Sequence, residues 1–339
     1  MTDTGTTPGK PNQSGTCDQE SDRFFTALTT ADAVEARNRL ESLHPDMLAR
    51  YPLQAYINLL DDTQRDTSTL AVSARVKAFW EDVIETWGAE GLEVYNRLAM
   101  LQLMSAFEER ARPYDYPQST LENIKTSFQR IENNILFGET GKYLHTDDSF
   151  IKDFALCRQT AFPGGGAWIV DLHGGYSLKT LFAGGIGQFF SLAFFYLFVC
   201  KGNRRCYSPH VHNDLVKYFS SEERQACHAR IAEMLERHPE VVGLVGISWL
   251  LDPVVPIISP KLAWQRQVPL ENGAKYFRYR KDTSGAALVR SPTRQKLYEE
   301  GKYVPTDYLT IWHRDKIIAW AKKRALQQKG TNVQTNKAP

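Results

Sequence analysis

The run Val241-Val242-Gly243-Leu244-Val245-Gly246-Ile247-Ser248-Trp249-Leu250-Leu251 carries no charge and is rich in β-branched residues. A short apolar run of this kind is the mark of a strand buried on both faces. Immediately before it, residues 221–238 have Ser221 placed to cap a helix, acids in the first turn and Pro239 as the stop. A helix feeding a buried strand is the basic step of a mixed α/β domain. Downstream, residues 276–280 alternate as a strand should, Ser291-Pro292 opens a helix that ends near Gly301, 308–312 is another strand, and 316–326 a closing helix. Upstream, 207–212 reads as a strand. So do 154–158 and 167–172, on either side of Pro163-Gly164-Gly165-Gly166. The mixed α/β domain therefore spans residues 139–326.

Residues 22–138 have a different period. Phe24, Phe25 and Leu28 open one amphipathic segment, and 33–43 forms another. Val76, Phe79, Trp80, Val83 and Trp87 recur at three- and four-residue steps within 72–87, which puts them on one stripe of a helix. Leu98, Leu101, Leu103 and Met104 repeat the pattern within 92–107, and 121–136 is one more helix, ended by Gly138. The run from Arg112-Pro113 to Tyr116-Pro117 marks a break. The fold class is α+β, a helical N-terminal region followed by a mixed α/β C-terminal domain. Residues 1–21 are expected to be a disordered leader and 327–339 a disordered tail.

Of the 339 residues, 42% are hydrophobic and 12% aromatic, enough for a sizeable core. Lysine plus arginine number 41 against 39 acids, a net charge of +2 with no single-sign field to favour nucleic acid. The five cysteines, Cys17, Cys157, Cys200, Cys206 and Cys227, form no C-x-x-C pair, and an odd count argues for reduced thiols in a cytoplasmic setting. The N-terminus lacks the apolar stretch of a signal peptide. The glycine run at 164–166 lacks the Gly-Lys-Ser/Thr of a phosphate loop, and no G-x-G-x-x-G follows a strand.

Residues 181–200 are uncharged throughout and flanked by Lys179, Lys201, Arg204 and Arg205. Gln188, Ser191 and three glycines interrupt the run, so a helix buried in the domain is the expected reading. A peripheral membrane contact through 181–200 is the alternative, and a true span ranks last.

Four clusters are candidates for chemistry. His210, His212 and Asp214 stand two residues apart, so on a strand they face one way and could converge on iron or zinc; His145, His173 and His228 are further ligands only if the fold brings them close. The plainer reading is one histidine in a strand-end hydrogen bond and the other exposed. Gly246 to Pro253 ends an apolar strand in polar groups, where Ser248 and Asp252 are candidate catalytic residues and Trp249 a substrate contact. Asp252 could act as a base or orient His212, or simply cap the turn. Ser248 lacks the context of a nucleophile elbow. Arg290, Thr293 and Arg294 surround a helix start suited to a phosphate or carboxylate, or to ordinary capping. Cys157 beside Arg158 is expected to be a buried structural thiol.

The order helix, strand 241–251, then Leu297-Tyr298-Glu299-Glu300-Gly301-Lys302-Tyr303 before a last strand resembles the later part of a GNAT-type N-acyltransferase, in which a helix bearing Leu-Tyr and then Gly-Phe or Gly-Tyr precedes the final strand. The resemblance covers about the last third of the chain. It implies a cytoplasmic, biosynthetic transferase moving an acyl group from a thioester donor to a small-molecule or carrier-bound substrate, with Tyr298 as acid to the leaving thiol. His212, Asp252 and Ser248 complete the expected catalytic set. An acyltransferase of this kind also predicts two neighbouring strands splayed beside Ser248. The family's pyrophosphate loop, Arg/Gln-x-x-Gly-x-Gly/Ala, is absent after Leu251, where Asp252-Pro253 and Ile258-Ser259-Pro260-Lys261 stand instead. A carrier-protein thioester is therefore as good a donor as coenzyme A. The other two readings are a non-haem metal enzyme on His210, His212 and Asp214, and a non-enzymatic membrane-associated or interaction protein.

Overall fold

The computed structural model describes residues 31–63, 73–144, 146–202, 205–282, 284–289 and 291–335. The expected leader, the helical segment around Phe24, His145, Arg204 and Arg290 lie outside them. The helical region comprises α1 (Ala31–Leu43), α2 (Pro45–Arg50), α3 (Leu53–Thr63), α4 (Ala74–Ser105), α5 (Phe107–Ala111) and α6 (Gln118–Phe137). The two helices expected at 72–87 and 92–107 are both present within α4, which starts where Ser73 accepts a hydrogen bond from Val76 N and is divided at Gly88, whose φ of 74° and ψ of 176° are not helical. Next come α7 (Asp148–Cys157), β1 (Ala161–Gly165), β2 (Trp168–Gly174), α8 (Gly185–Phe194), β3 (Cys206–Val211), α9 (Ser221–Arg237) and β4 (Gly243–Ser248). The chain closes with α10 (Val255–Ile258), α11 (Trp264–Glu271), β5 (Lys275–Lys281), α12 (Pro292–Glu299), β6 (Thr306–His313) and α13 (Arg314–Thr335).

Residues 154–158 are not a strand. They end α7, a helix buried on nearly every side, whose Phe150 and Phe154 share one face and whose cap Asp147 accepts from Ser149 N. The strand sits instead at Ala161–Gly165, through the proline-glycine run read as a loop. Proline is tolerated there because β1 is an edge strand. The cap of α9 is Ser220, not Ser221, and β4 stops at Ser248, where a single 3₁₀ turn, Trp249–Leu251, takes over. The last helix runs on to Thr335, past Leu326.

The six strands form one sheet in the order β1-β2-β3-β4-β6-β5. Every neighbouring pair is antiparallel except β3 and β4. The helices α9 and α13 cover one face. Val245, Leu309, Ile311 and Phe277 on the other form a cluster with Leu192 of α8. A larger cluster runs without interruption from Met47 and Trp80 through Phe128 and Phe162 to Trp312 and Trp320, so the helical region and the sheet share one core.

Candidate functional site

The sheet comes apart in its middle. Strand β3 is paired with β2 along its length, from Cys206 to Val211, and β4 with β6 as far as Ser248↔Tyr308. Between themselves β3 and β4 share only two register positions, Cys206↔Gly243 and Tyr207↔Leu244. Beyond these the strands part, and the inner edges of 208–211 and 245–248 have no register partner among the described residues. The local sequence favours this. Pro209 has no N–H to give to a second neighbour, and Gly246 leaves the facing strand without a side chain.

Aromatic rings and arginines line the α9 face beside the parting. Trp168, Phe219 and Trp264 follow one another at centroid distances of 5.2 and 5.3 Å. The Arg224 guanidinium lies 3.8 Å over the Trp168 ring, Arg266 4.2 Å over Tyr276, and Arg294 4.7 Å over Trp249. Arg266 and Arg294 are also hydrogen-bonded: Arg266 donates to the Leu251 carbonyl, and Arg294 to the Ala287 carbonyl and, at 3.0 Å, to Ser259 Oγ. Arg224 differs. It is 7% exposed, its Nε and Nη1 have no hydrogen-bond partner, and burial pulls its pKa down. A desolvated guanidinium with two N–H donors left unbonded is costly. It sits in the first turn of α9, one turn inside the Ser220 cap.

Past the end of β4, Ser248 Oγ accepts from Leu250 N at 3.1 Å and Asp252 Oδ1 from Val254 N at 3.0 Å. Asp252 is buried. Desolvation raises its pKa, while bonds from backbone N–H groups and the charges of Arg266 and Arg278 pull it down less strongly. Tyr303 is close enough to Asp252 and Arg294 to feel both charges. Its hydroxyl is buried with no partner, and burial pushes its pKa up to about 12. The Leu-Tyr-x-x-Gly-x-Tyr motif that suggested Tyr298 is a helix end: Gly301 takes φ 67°, and Lys302 N and Tyr303 N both donate to the Leu297 carbonyl. The turn carries Tyr303 inward and leaves Tyr298 half exposed on α12. Arg294 and Trp249, read in the sequence as parts of two separate clusters, meet in the fold, whereas Thr293 is exposed.

His212 is fully buried and committed. Its Nε2 lies 2.9 Å from Asp153 Oδ1 and its Nδ1 accepts the Asp214 N–H at 3.3 Å. With both ring nitrogens engaged, His212 is neither a free base nor a ligand. Asp153 also takes both arms of Arg130, so although burial alone would raise its pKa, His212 and Arg130 hold it below the usual carboxylate range. Asp214 bonds Ser149 Oγ at 2.9 Å and Lys142 Nζ at 2.9 Å. His210 alone keeps a buried Nε2 without a partner. The expected convergence of His210, His212 and Asp214 on iron or zinc is thus not what the fold builds: the three side chains serve different partners. Among the described residues no three His, Cys, Asp or Glu side chains form a metal-holding group. Beside this network a cavity of about 620 Å³ lies between α6, the β1–β2 turn and the turn after β3, lined among others by Asn123, Arg130, Lys142, Trp168, Asp214 and Glu223. The Cys157 thiol is buried in the core and burial pushes its pKa well up, as expected of a structural cysteine.

Arg224 was not legible as a site residue. On the sequence it is one of several charges in an amphipathic helix, and only the parting beside it reveals its isolation. Pro209 inside a strand was the available signal for that parting.

No family model matches the chain, and no curated protein matches it. Among solved structures it is similar to one described as an acyltransferase in complex with decanoyl-CoA, with 15% identity, a TM-score of 0.44, and 90% of this chain and 91% of that chain covered.

Proposed function

We propose that this chain is an acyltransferase whose acyl thioester donor lies extended in the parting of β3 and β4. The observation that carries the reading is the parting itself: two strand edges with free backbone groups facing each other inside a sheet. An extended arm bearing amides supplies alternating N–H and C=O groups, the complement that such edges pair with. The aromatic wall beside it suits an apolar acyl chain.

The turn from β3 to α9, residues 212–220, contains no glycine, and the first turn of α9 carries Glu222 and Glu223. Those carboxylates oppose a diphosphate at this helix start. The donor is therefore read by its arm, with Arg224 meeting a single anionic group, which fits a phosphopantetheine thioester on a carrier or free. In the transfer, an acceptor amine attacks the thioester carbonyl, so that a C–N bond forms and the C–S bond breaks. Asp252 accepts the amine proton. The leaving sulfur takes its proton from Tyr303, whose buried hydroxyl has no other partner, rather than from Tyr298. Ser248 keeps its hydroxyl hydrogen free for the thioester oxygen. His212 positions the turn after β3 through Asp153, and Arg294 with Trp249 form the substrate side of the site.

Binding of acyl-phosphopantetheine and of acyl-pantetheine, measured by calorimetry on the wild type and on Arg224→Met, tests the proposal. Both ligands should bind the wild type, and the substitution should weaken the phosphorylated ligand by about tenfold or more, as expected for loss of a charge-assisted hydrogen bond, while leaving the other unchanged. If neither thioester binds, the reading is wrong.

A further inference from the structure

The uncharged run 181–200 is not buried as the sequence suggested. Phe182, Ile186, Phe190, Phe194, Leu197 and Phe198 are 57–78% exposed. Five of them recur at four-residue steps, so they form one ridge along α8 and the turns flanking it. The opposite side of the helix is anchored. Leu192 and Phe195 are buried in the cluster with Val245 and Leu309. Gln188 holds the open edge of β5, its Nε2 donating to the Arg278 carbonyl at 2.8 Å and its Oε1 accepting from Arg278 N at 2.7 Å. The ridge is therefore a fixed feature of the fold that faces outward, the reverse of an ordinary surface helix.

Its surroundings are cationic. Lys179 and Lys201 bracket the ridge, and Arg278 and Lys281 stand on the adjoining β5 edge. All four are exposed, and no ion pair engages them among the described residues. The segment itself contains no acid. None of the helices among the described residues is long and apolar enough to cross a membrane. A short, rigid aromatic ridge with unpaired cations at its margins and no carboxylate matches one surface in both of its properties, the interface of an anionic bilayer.

We propose that α8 docks the protein on anionic lipid membranes, its axis parallel to the surface, with the phenylalanines among the acyl chains and the four cations at the headgroups. This inference is argued from observations other than those behind the acyl-transfer reading: the exposed ridge and the lysines beside it have no role in that reading, while Leu192 and Phe195 pack on Val245 and the charge of Arg278 reaches Asp252.

Vesicle flotation tests it, with vesicles of phosphatidylcholine alone and of phosphatidylcholine mixed with phosphatidylserine. The wild type should float with the mixed vesicles and be released by salt. Phe190→Ser/Phe194→Ser/Phe198→Ser should abolish flotation without altering the circular dichroism, because all three side chains are exposed. Lys179→Ser/Lys201→Ser should lower binding to the mixed vesicles about tenfold or more and leave the ridge intact. Absence of binding to mixed vesicles would overturn the proposal, as would binding indifferent to the phenylalanine substitutions. A dimer in sedimentation that becomes monomeric in the same variant would also overturn it, because a second copy would then be what covers the ridge.

Discussion

At the scale of single residues, the most informative is Arg224, a buried guanidinium with Nε and Nη1 unbonded. It stacks on the Trp168 ring at 3.8 Å but leaves two N–H donors unbonded. Arg224→Met, close in length and apolar, should leave the thermal unfolding temperature unchanged or raise it, corresponding to a gain of up to about 2 kcal/mol, since replacing an ill-satisfied buried charge is commonly neutral or favourable. A clear drop in unfolding temperature would mean that Arg224 is structural. His212 gives the opposite expectation. His212→Ala leaves Asp153 buried with Arg130 as its remaining partner. The loss should be about 2–4 kcal/mol in chemical denaturation. The sign of the pH effect follows from Asp153. Its folded pKa lies below the unfolded one, so its stabilising contribution is present above about pH 4 and is lost as pH falls through the folded value. Asp153→Asn should accordingly flatten the acid limb of the stability curve, which is checked by denaturation between neutral pH and pH 3. In the sequence His210, His212 and Asp214 read as a metal triad, and Asp252 as the group that could orient His212, because spacing alone cannot say which distant helix supplies the partner of His212. Here α7 supplies Asp153, 59 residues away along the chain.

At the scale of elements, the parting depends on the place where β3 and β4 last touch. That contact is two register positions long, Cys206↔Gly243 and Tyr207↔Leu244, and Gly243 opens it. A Cβ there would meet the Trp312 carbonyl oxygen at 2.2 Å, so Gly243→Ala must push β4 off β6. The expected result is a loss of about 2 kcal/mol or more together with impaired ligand binding, both read by thermal shift with and without thioester. By contrast, Gly301→Ala should cost about 1 kcal/mol, the penalty of φ 67° for an L side chain, and should move Tyr303 relative to Asp252. Much of this level was legible. The strands near 207–211, 243–248, 275–281 and 306–313 and the helices α6, α9, α12 and α13 follow from period, caps and prolines. The stretch 154–158 was misread because a short apolar run fits a buried helix end as well as a strand, and only the packing of Phe150 and Phe154 decides between them. The orientation of α8 was misread for a related reason. An apolar helix in a folded domain is assumed to be covered, and no local signal says that its phenylalanines face outward.

At the scale of the molecule, the helical region and the sheet share one core, and the break at 112–117 is a turn across it rather than a linker. The mixed α and β class was legible from the change of period along the chain. The order β1-β2-β3-β4-β6-β5 was not, because which strands pair is a non-local property. That order puts the one parallel contact of the sheet in its middle, and the strands part there. The central claim is that a thioester arm completes the two open edges, and amide hydrogen exchange followed by mass spectrometry tests it most directly. On addition of acyl-phosphopantetheine, amides in 208–211 and 245–248 should become protected together, with little change in α1 to α4. Unchanged exchange in both stretches at saturating ligand, or protection confined to a distant surface, would contradict the account.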